Sequence, residues 1–145
     1  IKRITYPNGG YTDFEFEEFS SLNEASSFLE YPLIGIRDSS IQTQSVSIKR
    51  LSIGIEVQTV YSVDHNLEII LLMVVLDDNI PNAAFDIDEN ASTYELSNGA
   101  VMYCYSNDEN EKAGTACWSN ICLSITTKDI DWNQLKHYVD KLSTI

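Results

Sequence analysis

At 145 residues the chain suits one domain, large enough to bury roughly 70% of the surface its unfolded form exposes. A composition 43% hydrophobic and 21% charged excludes wholesale disorder. The net charge of −13, with no Lys or Arg between Arg50 and Lys112, sets up a field that repels phosphate backbones and anionic membranes. Nucleic acid is therefore not an expected partner. Cationic partners and divalent metals stay open beside a plainer reading, a surface kept soluble by excess acid.

The chain opens Ile1-Lys2-Arg3, without Met or an apolar leader core, which reads as a processed or truncated start. Any membrane anchor is expected upstream. The longest apolar run, Ile69 to Leu76, is far shorter than the ~20 residues of a membrane span. Residues 1–10 carry Pro7-Asn8-Gly9-Gly10 and read as a lead-in to a domain over 11–145.

From Tyr11 to Phe19, Phe14 and Phe16 alternate with Glu15 and Glu17, which predicts a half-buried strand with its Glu face in water. Ser21, with Glu24 three residues on, predicts a helix N-terminus whose Glu reaches back to the cap N–H. Leu22, Ala25, Phe28 and Leu29 follow at helical spacing, and Pro32 is expected to end the helix.

Residues 42–76 read as β throughout. Val46 and Ile48 mark one strand. Ile55, Val57, Thr59, Tyr61 and Val63 alternate with polar neighbours in a second. Leu67 to Leu76 is apolar apart from Glu68, which predicts the central strand, covered on both faces. After a polar connection containing Pro81, residues 93–126 read as four short strands. Asn98-Gly99, an acidic loop and Ser119-Asn120 separate them. A last helix is expected from Trp132 to about Leu142, capped by Asp131 with Gln134, its apolar stripe made of Trp132, Leu135, Val139 and Leu142.

These parts predict an α+β fold: a single antiparallel sheet of about six or seven strands with two amphipathic helices packed against it. Their order also resembles a known family. The segment S-S-L-N-E-A-S-S-F-L-E-Y-P-L is similar to the helix and aromatic-Pro-Leu opening of an uncharacterised extracytoplasmic domain. That domain occurs in Gram-positive anti-sigma factors and lipoproteins. Y-E-L-S-N-G, W-S-N-I-C-L-S-I and D-I-D-W-N-Q-L-K-H-Y-V-D-K-L resemble its closing hairpin and helix. The chain departs from the family at Ile34-Gly35-Ile36-Arg37, where further prolines are usual. The resemblance implies a non-catalytic sensing or binding domain outside the cytoplasm, with no established ligand to carry over.

Chemistry-bearing residues are few. If Ser119-Asn120 is a two-residue hairpin loop, Cys117 faces Cys122 in the close, non-hydrogen-bonded pair, within disulfide reach. Cys104, on the neighbouring hairpin, is a competitor for either partner, and three buried thiols are the plainer alternative. Asp86, Asp88 and Asn90 imitate the start of a calcium loop, as do Asp129, Asp131 and Asn133. Both fail as EF-hands: the sixth position holds Ala91 or Gln134 instead of Gly, and the twelfth holds Ser97 or Asp140 instead of Glu. A weak cation site at Asp86, Asp88 and Asn90 with Asp77 and Asp78 competes with a solvated acidic loop. The second match is better explained as helix capping.

A nucleophile–base pair needs hydrogen-bond reach, which sequence does not show for His65 or His137, and no phosphate loop or Gly-x-Ser-x-Gly is present. The expectation is a non-enzymatic domain without a cofactor, binding a protein or small ligand. An acidic cytosolic inhibitor or immunity-type protein that blocks a basic partner is the alternative. A small hydrolase built on His65 is the third reading.

Overall fold

The alternations become strands in a computed structural model that describes residues 15–63, 67–78, 91–106 and 110–145. In chain order the elements are β1 (Phe16–Phe19), α1 (Leu22–Leu29), β2 (Ile34–Ile36), β3 (Gln42–Leu51), β4 (Gly54–Val63), β5 (Leu67–Leu76), β6 (Ser92–Glu95), β7 (Val101–Ser106), β8 (Glu111–Trp118), β9 (Ile121–Lys128), α2 (Trp132–Asp140) and β10 (Leu142–Thr144). Eight strands form one sheet in the order β1-β3-β4-β5-β9-β8-β7-β6, every neighbouring pair antiparallel. β10 and β2 pair as a separate small sheet. The fold is α+β as expected, but the large sheet has eight strands and the second sheet was not foreseen.

One face of the large sheet is the core. Ile55, Val57, Tyr61, Ile69, Leu71, Met73, Val75, Leu123 and Ile125 line it, all buried. Apolar burial at roughly 25 cal/mol per Å² makes this face the main source of stability. Three pieces cover it. Leu22, Ala25 and Leu29 of α1 join the core at the β1–β3 end. The small sheet sits over the centre, where the Ile36 N–H donates to the Tyr61 hydroxyl at 3.0 Å and the Ile34 N–H to Met73 Sδ at 3.5 Å. α2 lies over the far end, with the Lys112 ammonium 5.6 Å from the Trp132 ring centroid and the Lys136 ammonium 5.9 Å from that of Tyr94.

Local chemistry sets both helices. The Ser21 Oγ accepts the Glu24 N–H at 3.2 Å, as its spacing predicts. The Glu24 carboxylate, however, accepts from the Ser20 Oγ at 2.9 Å, so the return bond comes from a neighbouring hydroxyl. α1 closes before Pro32: Glu30 turns left-handed at φ 54, the Tyr31 N–H donates to Ser26 O, and the Ser26 Oγ donates to Tyr31 O at 2.7 Å. At α2 the capping box is complete, with the Gln134 N–H on Asp131 Oδ1 at 2.8 Å and the Asp131 N–H on Gln134 Oε1 at 2.9 Å.

Three local expectations are corrected. In β1, Phe16 and Glu18 point away from the core and Phe16 is 54% exposed, whereas Glu17 and Phe19 are half-buried. Phe19 decides the phase, because its ring meets Phe28 of α1 at 5.1 Å. The buried stripe of α2 is Leu135, Tyr138 and Val139, with Trp132 exposed. Leu142 belongs to β10, where it pairs with Ile36. Residues 1–14 are outside the described residues, and with them the lead-in and the Tyr11–Phe14 half of the first predicted strand.

Candidate functional site: the open face of the sheet

β5 is central, yet among the described residues it is covered on one side only. Ile69, Leu71, Met73 and Val75 enter the core, while Ile70, Leu72 and Val74 stay half-exposed on the opposite face. The described helices and the small sheet all pack on the core side, so among the described residues this second face is open. An antiparallel sheet tolerates one solvated face, which normally carries polar residues. Here its middle is an apolar stripe. Val60 lies beside Ile70, and beyond Thr126, Ser124, Ala113 and Thr115 of β9 and β8 the same face carries Tyr103 and Tyr105 on β7. Polar and charged residues frame it: Lys49 lies opposite Glu56 on one side, and Glu111 opposite Lys128 on the other.

The cysteines are placed by the same registers. Cys117 faces Cys122 across β8 and β9, at disulfide distance, with Cα atoms 4.2 Å apart. Both are half-buried on the open face, and Val74 of β5 pairs with Cys122. The turn beyond them is anchored. Ser119 is left-handed at φ 50, the Leu76 N–H donates to Asn120 O at 2.7 Å, and the Asn120 side-chain amide donates to Leu76 O at 3.0 Å.

Cys104 does not compete for this pair. It faces Gly114, one residue out of phase with Thr115 and Cys117, so its thiol points into the core and is 1% exposed. Burial pushes that thiol up to about 11, which keeps it protonated at neutral pH. The alternative of three buried thiols holds for Cys104 alone.

Trp118, next to Cys117 and on the core side, lines a cavity of about 80 Å³ with Ile34, Leu96, Leu123 and Leu142. That volume admits a few water molecules or a fragment of a side chain and is too small for a nucleotide or a sugar. Trp118 thus borders β10, the strand after the final helix.

His137 meets a carboxylate. Its Nε2 lies 2.5 Å from Asp38 Oδ2, tying the last turn of α2 to the β2–β3 loop. Ser40 holds the other oxygen, through its Oγ at 2.7 Å and its N–H at 2.8 Å. Those two bonds, with His137 adding less, bring the Asp38 carboxyl down to about 2. Serine, carboxylate and imidazole therefore meet through the carboxylate. Nucleophilic catalysis needs the imidazole between the other two, and this cluster does not supply that order. Its evident work is to hold a loop on a helix end. Nothing in sequence spacing pointed to it, since the partners are 99 residues apart.

The candidate cation residues Asp86, Asp88 and Asn90 lie outside the described residues, as does His65. Among the described residues no cluster of three or more metal-binding side chains occurs, and no helix is long and apolar enough to cross a membrane. No family model, no curated protein and no solved structure matches the chain.

Proposed function

We propose that this chain is a non-enzymatic binding or sensory domain that works outside the cytoplasm, as part of an envelope protein of the anti-sigma-factor or lipoprotein kind. The observation that carries the reading is the Cys117–Cys122 pair, set at disulfide distance on the open face of the sheet. Half-exposed thiols in such a pair oxidise and stay oxidised in an extracytoplasmic compartment, and a reducing cytosol keeps them open. The apolar stripe beside the pair offers a surface for a protein or small ligand. The order of parts, from the capped α1 to the Trp118 hairpin and the capped α2, agrees with the family resemblance.

Cysteine alkylation followed by mass measurement tests the compartment. Protein recovered from an oxidising compartment should carry one Cys117–Cys122 disulfide and a single free thiol at Cys104. Three free thiols that resist mild oxidation would remove the export argument. The acidic-inhibitor reading keeps one observation of its own, the net charge of −13. It requires a basic partner whose binding weakens steeply with added salt.

A further inference from the structure

We propose that Cys117 and Cys122 form an exchangeable disulfide, a redox modification site opened and closed by a dithiol reductant while the fold stays intact. This rests on the oxidised pair of the reading above and goes further, because most extracytoplasmic disulfides serve as staples. Three features set this one apart.

The cross-link closes a very short ring. The cysteines are separated by 5 in sequence, and the ladder already joins their strands on both sides, at Trp118 with Ile121 and at Ala116 with Leu123. A disulfide removes least chain entropy when its loop is short, so the fold depends little on this bond. The two hydrogen bonds between Asn120 and Leu76 hold the turn independently of sulfur.

Both sulfurs also belong to half-exposed residues on the open face, where no described helix or strand covers them. An attacking thiolate needs that access. After reduction, the paired strands keep the two thiols opposite each other, so reclosure is intramolecular. Finally, the remaining thiol cannot scramble the pair. Cys104 lies on the far side of the sheet, buried and protonated. The site therefore has two states, bonded and open.

The exchange balances within the named reactants. A thiolate of the dithiol attacks one sulfur of the pair, forming a mixed disulfide and releasing the other cysteine as thiolate, which takes up a proton. The second thiol of the reductant then attacks the mixed disulfide. Cys117 and Cys122 end as two thiols, having gained two electrons and two protons, and the reductant leaves as its own disulfide.

The test uses the full chain without denaturant. Thiols are first counted by alkylation. Dithiothreitol is then added and labelling is followed by mass and peptide mapping, with circular dichroism in parallel and the same reaction in denaturant as reference. The expected result is labelling at Cys117 and Cys122 but not Cys104, at a rate within about a hundredfold of the denatured rate, with the spectrum unchanged. Oxidised dithiothreitol should restore the bond. An initially bonded pair that is reduced more slowly than this, or only with loss of the spectrum and labelling of Cys104, overturns the proposal and leaves a structural staple. Labelling of both Cys117 and Cys122 at the initial count, with resistance to oxidation, sinks the oxidised reading itself, a different failure seen at a different step.

Discussion

The hydroxyl of Tyr61 accepts the backbone N–H of Ile36 at 3.0 Å, and this bond fastens the small β2–β10 sheet to the large one. Tyr61 is buried on the core face of β4, and Ile36 sits in a three-residue strand with little surface of its own to bury. Burial raises the phenol above its usual value, so it stays neutral at any physiological pH. Replacing Tyr61 by Phe keeps the ring and leaves the Ile36 N–H buried without its acceptor. The expected loss is about 1–3 kcal/mol, read from urea unfolding. An unchanged midpoint would show that this bond adds nothing to the other contacts holding the small sheet.

Two glycines should respond very differently to Ala. A Cβ at Gly54 would lie 2.0 Å from the carbonyl oxygen of Val75, a backbone atom of the central strand. At Gly114 the nearest atoms are Met102 Sδ at 2.8 Å and Cγ at 3.0 Å, the movable part of a flexible side chain. Gly54→Ala is expected to cost at least about 3 kcal/mol or prevent folding, and Gly114→Ala about 1 kcal/mol. Equal melting temperatures for the two variants would contradict the close approach of the β3–β4 turn to β5.

Acid should release the loop that Asp38 organises. Its carboxyl is held down to about 2 by the Ser40 hydroxyl and N–H, with His137 adding less. A lowered folded-state value means the charged form stabilises the fold above the ordinary carboxylate range. That contribution fades as pH falls from 3.8 toward about 2. Thermal melts across this window should fall less steeply for Asp38→Asn than for the parent chain. Parallel curves would place the acid sensitivity elsewhere.

The final helix depends on its first turn. Asp131→Ala removes an acceptor bonded to the Gln134 N–H at 2.8 Å and is expected to cost about 1 kcal/mol. Asp131→Asn should recover most of that loss. If Asn and Ala behaved alike in chemical denaturation, the cap would contribute nothing beyond the packing of Leu135 and Val139.

The sequence by itself determined what lies within a few residues of its own cause. Ser21 and Asp131 announced two helix starts, Asn98-Gly99 and Ser119-Asn120 announced two turns, and the alternation from Ile55 to Val63 announced a strand with one buried face. The meeting of Cys117 with Cys122 was legible for the same reason, since a two-residue turn dictates what faces what. Only the tertiary structure decided which side of β1 and of β5 is core. In β1 the packing of Phe19 on Phe28 overrode the Phe14–Phe16 alternation and turned Phe16 outward. In β5 an unbroken apolar run contains no record of which half enters the core, because that depends on helices placed from both ends of the chain. Cys104 was separated from the other two cysteines by a register of one residue against Gly114. The Asp38–His137 contact and the β2–β10 pairing join segments roughly a hundred residues apart, brought together when the core closes and marked by no local pattern.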